Sequence, residues 1–208
     1  MSTAIETAET SFKLAPFNPS SEQIQKKCCE LLIDRALGDN NNSNSNSNNS
    51  ESKEGGPVLF DLGCGDARLL INSAKLYPQL KCIGIELDNA FVTRAIEQIQ
   101  TLPRDLQDRL YVHEGDALKD QIYQESTCPV ANLTFIDDAS ILYLFVLPKG
   151  IEKLIPLLIS VVEKRKLQKR NFRILSYMFQ IPEWDPSVVD RSSKGSCPIY
   201  LYEFLYEE

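Results

Sequence analysis

The sequence contains a single histidine, His113, among its 208 residues. A Ser-His-Asp triad could use only that residue, and a metal site built from several histidines cannot form. The six cysteines include no Cys-x-x-Cys pair, which is the spacing typical of zinc sites and redox motifs. We therefore expect free thiols in a reducing compartment and no bound metal.

The sequence also lacks a long hydrophobic run. Its longest apolar stretch lies around 141–147, whereas a membrane-spanning helix needs about 20 apolar residues. The N-terminus carries Glu6 and Glu9 and has no basic residue before Lys13, unlike a signal peptide. These absences predict a cytoplasmic protein, with the nucleus as the alternative, and no membrane span.

An excess of positive charge is missing as well. The chain has 22 Lys and Arg residues against 29 Asp and Glu residues, a formal net charge of −7. Proteins that hold nucleic acid through a broad basic face usually have the opposite balance. The composition predicts a protein or small-molecule partner and no nucleic acid.

Composition divides the chain into four parts. Residues 1–15 are polar without periodicity and are predicted to be a flexible tail, and 16–38 to be an extended lead-in followed by a helix that Ser20 or Ser21 caps. The Asn/Ser-rich insert at 39–56 cannot bury apolar surface and is predicted to be disordered. Residues 57–208 are then a single folded domain.

Within 57–208, apolar runs alternate with helical patterns, which indicates βα units. We predict a Rossmann-like α/β fold with a doubly wound, mostly parallel sheet and a C-terminal antiparallel hairpin strand. Residues 132–136 are interpreted as loop or edge, and Pro156 is expected near the first turn of the helix after Gly150. The predicted strands are 58–62, 81–87, 110–112, 140–147, 172–179 and 199–206.

A glycine-rich turn, Gly63-x-Gly65, follows the first predicted strand directly. Glycines there let the backbone approach a ligand closely, and the next helix offers unpaired N–H groups. Nicotinamide-binding turns need a third glycine where this chain has Arg68, and Asp61 would repel a pyrophosphate but attract an ammonium group. The Asp-x-Gly-x-Gly pattern resembles the first motif of class I S-adenosylmethionine (SAM) methyltransferases, whose loop holds the amino acid part of SAM.

Three further positions fit a nucleoside. Glu86 ends the second predicted strand, where an acid can accept hydrogen bonds from both ribose hydroxyls. By the same resemblance, Asp116 is expected to meet the adenine amino group, and Ala117 to give a backbone N–H to the ring.

Four segments together resemble a narrower family, that of the lysine methyltransferases of the ATP synthase c-subunit and the adenine nucleotide translocase, with uncharacterised bacterial relatives. This resemblance implies SAM as cofactor, a protein lysine as acceptor, and Ser20 in place of a family Thr near the cofactor. The chain departs from the family in Ala67, which replaces a usual Gly, in the Asn/Ser insert, and in having no membrane segment before Pro16. The segments are 16–20, 61–68, 84–86 and 182–186.

Methyl transfer from SAM needs positioning more than a catalytic base, because the sulfonium methyl is already electrophilic. An apolar channel would favour the neutral form of a lysine amine. Phe145, with its neighbours in 144–147 at the end of the fourth predicted strand, and Trp184 are the candidates to line that channel. Small-molecule N- or O-methylation and non-catalytic SAM binding remain alternatives, whereas Asp61 and Arg68 disfavour a nicotinamide oxidoreductase.

Overall fold

The apolar run Val58–Leu62 forms β1, which lies inside a seven-stranded sheet of order β3-β2-β1-β4-β5-β7-β6. The computed structural model describes residues 21–34, 56–119, 133–191 and 197–206. In that part of the chain the strands are β1 Val58–Leu62, β2 Lys81–Glu86, β3 Leu110–Glu114, β4 Ile141–Leu144, β5 Phe172–Tyr177, β6 Val188–Asp190 and β7 Ile199–Phe204. The helices are α1 Glu22–Cys29, α2 Arg68–Leu76, α3 Asn89–Gln100, α4 Arg104–Gln107, α5 Phe135–Asp138 and α6 Pro148–Leu167.

The first five strands run parallel, and β7 pairs antiparallel with both β5 and β6. This is the predicted doubly wound sheet with its antiparallel hairpin at the C-terminal end, so the fold class is confirmed. Helices cover both faces of a parallel sheet, and central strands then become apolar throughout. All five residues of β1 are accordingly buried.

Two hydrophobic cores lie on opposite faces of the sheet. The first, here called the α2 face, contains buried residues of α1, α2 and α3 together with Leu59 and Tyr143 of the sheet. The second, the α6 face, contains buried residues of α5 and α6 together with Phe60 and Leu142. The alternation of neighbouring residues between the faces follows from the period of two along a strand.

The α1 helix belongs to the same core as the sheet. Ser21 caps its N-terminus by accepting a hydrogen bond from the N–H of Ile24, as predicted for Ser20 or Ser21. Lys27 on α1 pairs with Asp190 of β6 at 3.4 Å. A π-helical turn, Glu30–Asp34, continues α1 and buries Leu32 and Ile33 in the α2-face core.

Several predicted boundaries were wrong for local reasons. β4 covers only Ile141–Leu144 of the predicted 140–147, and β5 stops at Tyr177 because Met178 has a φ of 75°. The segment 132–136, interpreted as loop or edge, overlaps the start of the short helix Phe135–Asp138, which Thr134 caps. The three-residue strand Val188–Asp190 was not predicted.

The helix after β4 starts earlier than predicted, because Pro148 takes its N-terminal position, where proline is favoured. Pro156 consequently lies inside α6 and not in its first turn. Pro156 has no backbone N–H, so it cannot donate a hydrogen bond to the carbonyl of Glu152 one turn earlier. Because Pro156 is exposed, water can reach that carbonyl instead. The predicted tail at 1–15, the insert at 39–56 and the site residue Ser20 all lie outside the described residues, apart from Gly56.

Candidate functional site

The predicted glycine turn leaves β1 at the carboxyl edge of the sheet. Gly63 has a φ of 85° and Gly65 a φ of 56°, values that residues with a Cβ rarely adopt. The N–H groups of Gly63 and Cys64 donate to the carbonyl of Ile85 at 2.8 and 3.1 Å. These bonds hold the turn beside the end of β2, which is the edge where open α/β sheets bind ligands.

Glu86 joins the glycine turn to the loop after β2. Its Oε2 accepts a hydrogen bond from the N–H of Gly65 at 2.8 Å, and its Oε1 accepts from the N–H of Asp88 at 2.9 Å. An ionised carboxylate has about four acceptor positions, so two remain for further donors. A ribose diol has two such donors, and the contact of Glu86 with a ribose stays a prediction.

Asp61 lies buried on the α2 face, below the turn. Its strand partners are Tyr143 on β4 and Gly84 on β2. Burial, with a smaller contribution from the negative charge of Glu86, raises the pKa of the Asp61 carboxyl to about 8. A cation next to this group would favour its ionised form, and the contact with an ammonium group stays a prediction.

Gly84 has a packing role that the sequence alone did not reveal. A Cβ at this position would lie 2.4 Å from Sγ of Cys64 and 2.8 Å from Cδ1 of Leu70. Both distances are below any normal contact. Glycine at position 84 therefore makes room for the glycine turn and for α2 to pack on β2.

The start of α2 is strained and charged. Ala67, which stands where the resembling family has Gly, has a φ of 60° and is fully buried. Arg68 binds the carboxylate of Asp66 with two hydrogen bonds, at 2.9 Å from Nε and 2.6 Å from Nη2. Burial of Asp66 opposes its ionisation, but the hydrogen bond and charge of Arg68 outweigh this and lower the pKa of Asp66.

The loop after β3 lies next to the same edge. The N–H of Gly115 donates to the carbonyl of Glu86 at 2.9 Å. Oδ1 of Asp116 accepts from the N–H of Leu118 at 2.9 Å, and Ala117 is 4% exposed. The structure thus brings Asp61, the glycine turn, Glu86 and the Asp116 loop to adjoining strand ends, as the sequence predicted.

The two predicted channel residues contact different faces of the sheet. Phe145 packs edge-on against Tyr177, with ring centroids 4.9 Å apart, on the α2 face. Trp184 packs edge-on against Tyr202 and Phe204 on the α6 face, at 6.1 and 5.4 Å. These contacts favour a packing role for Trp184, so its place in an acceptor channel stays a prediction.

The described residues contain no candidate metal site and no helix suited to crossing a membrane. No group of three or more His, Cys, Asp and Glu side chains in that part of the chain could hold a metal ion. Of the helices in the same part, none combines the length and the apolar character needed to cross a bilayer.

Comparison with known proteins agrees with this geometry. The family described as "Putative methyltransferase" matches residues 55–135, which contain the glycine turn, Glu86 and the Asp116 loop. A solved RNA methyltransferase from Salinibacter ruber, in complex with S-adenosyl-L-homocysteine, superposes with a TM-score of 0.63. It is 20% identical, and the match covers 92% of this chain and 96% of that one. The chain has the class I methyltransferase fold.

The curated relatives differ in the acceptors that their names state. A protein-lysine N-methyltransferase of Saccharolobus islandicus is 26% identical over 147 residues, which are 70% of this chain and 78% of the relative. A tRNA (guanine-N(7)-)-methyltransferase of Helicobacter pylori is 38% identical over 64 residues. The second match spans 31% of this chain but only 15% of that relative.

Proposed function

We propose that this protein is a SAM-dependent methyltransferase that methylates lysine side chains of a protein. The observation that carries the cofactor assignment is the pairing of Glu86 with the N–H of Gly65 above the buried Asp61. Glu86 offers hydrogen-bond acceptors for a diol, and Asp61 offers a carboxylate for an ammonium group. SAM carries both a ribose diol and an ammonium group. A nicotinamide dinucleotide would instead put its pyrophosphate near Asp61.

Each site residue has a defined task in this proposal. Asp61 binds the amino group of the cofactor, and the turn Gly63–Gly65 lets the backbone approach its amino acid part. Glu86 accepts hydrogen bonds from the ribose hydroxyls, and Asp116 with Ala117 binds the adenine. Ser20, which lies outside the described residues, is proposed to contact the cofactor by the family resemblance alone.

Bound SAM supplies an electrophilic methyl group. In the transfer, the lone pair of the acceptor nitrogen forms the new C–N bond, the S–C bond breaks, and its electron pair stays on sulfur. The chain contributes by holding the two reactants in line, which can lower the barrier by about 7 to 11 kcal/mol. The amine must arrive neutral and loses a proton to water afterwards, so no side chain is required as a base.

The lysine assignment is supported by the relative that covers most of this chain, the Saccharolobus islandicus protein-lysine N-methyltransferase. The net charge of −7 also suits a basic protein partner. RNA is the second candidate acceptor because the Helicobacter pylori relative modifies tRNA, although that match covers 15% of the relative. Small-molecule amines or hydroxyls are the third.

The cofactor assignment can be tested by thermal unfolding. SAM and S-adenosylhomocysteine should each raise the melting temperature, because a ligand that binds only the folded state stabilises it. NADH serves as the control and should have no effect. A folded sample that shows no shift at millimolar SAM would contradict the cofactor assignment.

The acceptor is tested with methyl-labelled SAM. A cell lysate is divided into protein, RNA and small-molecule fractions, and each is incubated with the enzyme. Mass spectrometry of the labelled protein should show lysines that gain 14 mass units per methyl group. Label confined to RNA or to small molecules would refute the lysine assignment and leave the methyltransferase assignment intact.

A further inference from the structure

Phe145 lies beside the glycine turn. In the β1–β4 pair, Asp61 is opposite Tyr143 and Leu62 is opposite Leu144. The next residues, Gly63 and Phe145, therefore emerge at the same level of the carboxyl edge. Tyr143 and Phe145 are two residues apart and both pack on the α2 face, which is the face of Asp61.

Tyr177 extends this surface to the next strand. Leu144 is opposite Ser176 in the β4–β5 pair, so Phe145 and Tyr177 are neighbours where these strands end. Their rings meet at 4.9 Å and 61°, an edge-to-face arrangement that aromatic rings favour. Tyr177 is 8% exposed, whereas Phe145 is half-buried and keeps part of its ring accessible.

Met178 follows Tyr177 in a conformation that side chains rarely adopt, with a φ of 75°. Its N–H donates to the carbonyl of Pro198 at 2.8 Å, and the hydroxyl of the buried Ser176 donates to the carbonyl of Phe179 at 2.6 Å. Met178 packs, half-buried, against the core that contains Tyr177. Backbone strain that the surroundings hold in place is concentrated at functional sites.

We propose that Phe145, Tyr177 and Met178, together called the aromatic wall, receive the alkyl part of the acceptor lysine beside the reacting methyl group. This inference rests on the proposed function. The wall lies on the face of Asp61 and at the level of Gly63, where the amino acid part of the cofactor is placed. Tyr177 and Met178 join Phe145 in this proposal, and the channel role of Trp184 stays a separate prediction.

The chemistry of the wall suits a lysine. Aromatic rings and a flexible thioether offer apolar contact to a four-carbon chain, and the exclusion of water by a bound substrate disfavours the charged ammonium. The amine is held neutral next to the methyl group, and its lone pair is free to attack. A flat nucleobase would instead need hydrogen-bonding groups for its polar edges, which these three side chains offer only through the Tyr177 hydroxyl.

The test compares Phe145→Leu with Phe204→Leu. Both phenylalanines are half-buried, but Phe204 packs on the α6 face against Trp184 and Phe172. The probes are SAM, measured by calorimetry, and lysate protein titrated as acceptor with tritiated SAM. Phe145→Leu should raise the half-saturating protein concentration about tenfold, with SAM affinity unchanged within about twofold. Phe204→Leu should change neither quantity.

A second variant covers the case in which Phe145→Leu does not fold. Met178→Gly removes a wall side chain and supplies the residue that adopts positive φ without strain. It should also bind SAM normally and transfer methyl about tenfold less well. If the wild type labels lysine and both folded variants match it, the wall assignment is wrong while the proposed function stands. If the wild type binds SAM but labels no lysine, both the wall assignment and the proposed lysine methylation are overturned.

Discussion

The backbone N–H of Gly65 donates a hydrogen bond to Oε2 of Glu86, with a distance of 2.8 Å between nitrogen and oxygen. This contact links the turn after β1 to the end of β2, two parts of the chain 21 residues apart. The second carboxylate oxygen binds the N–H of Asp88. Glu86 therefore shapes the site before any ligand arrives, in addition to the diol contact proposed for it.

Glu86→Gln should weaken SAM binding although it preserves the size of the side chain. An amide has one acceptor oxygen, so it cannot accept from both Gly65 and Asp88, and its NH₂ group would face an N–H donor. Hydrogen bonds to a charged group contribute about 1.5–3 kcal/mol, which corresponds to a loss of at least tenfold in affinity. Calorimetric titration with SAM measures the effect.

Glu114→Gln is the matched control for this experiment. Glu114 is the register partner of Glu86 on β3, but it is exposed and pairs with the side chain of Asn89. Its substitution should leave SAM affinity nearly unchanged. An equal loss of SAM affinity in the two variants would mean that negative charge anywhere at this edge of the sheet, and not the contact with Gly65, governs SAM binding.

Gly84→Ala should displace the glycine turn. The added Cβ would lie 2.4 Å from Sγ of Cys64 and 2.9 Å from its Cβ, and overpacking of this kind costs about 1–3 kcal/mol of stability. Both the free energy of unfolding and SAM affinity should fall. Cys64→Ala in the same chain removes the closest contact, so the double variant should recover part of the loss. Absence of any recovery would argue against the steric cause.

The strands that the sequence predicted best are the buried parallel ones. Val58–Leu62 and Lys81–Glu86 are short apolar runs that end at a glycine turn or at an acid, and the structure places them within one residue of the prediction. β4 was predicted too long because Phe145–Leu147 continue its apolar pattern after pairing has ended. Val146 packs in the α6-face core, and Leu147 directly precedes Pro148 at the start of α6, so apolar character continues here without strand pairing.

Elements of three or four residues could not be predicted from periodicity. Val188–Asp190 is too short to show alternation, and its pairing depends on β7, which follows it in the chain. The helix Phe135–Asp138 has one local signal, the cap that Thr134 offers to the N–H of Asp137. The positions of Asp61 and Glu86 followed from the motif, but the face that Trp184 contacts depended on a chain path that no local pattern encodes.

Trp184→Ala should destabilise the fold. The indole packs on the rings of Tyr202 and Phe204, and removing a half-buried Trp side chain is expected to cost about 2 kcal/mol, below the 3–5 typical of a fully buried one. Denaturant unfolding measures the loss, and Trp184→Phe should restore most of it by keeping an aromatic ring. If Trp184 instead lines the acceptor channel, as the sequence predicted, the stable Trp184→Phe protein should bind SAM normally and still transfer methyl poorly.

Asp61 should make the stability of the ligand-free protein depend on pH. Burial, followed by the charge of Glu86, raises the pKa of Asp61 to about 8, whereas an unfolded Asp ionises near pH 4. Between these values the folded state binds a proton that the unfolded state has released. The stability that this protonation provides is fully present below about pH 4 and is lost as the pH rises through about 8.

Asp61→Asn isolates this effect, because every other group titrates in both proteins. The variant should match the wild type in melting temperature at about pH 3.5, below the pKa of an unfolded Asp, and its advantage should grow until about pH 8.5. SAM should reduce the pH dependence of the wild type, since its ammonium favours the ionised carboxylate and lowers the pKa of Asp61. The variant lacks that partner and should bind SAM at least about tenfold more weakly. An equal difference in melting temperature between the two proteins at both pH values would show that the pKa of Asp61 is not raised. Unchanged SAM affinity would show that Asp61 does not contact the cofactor.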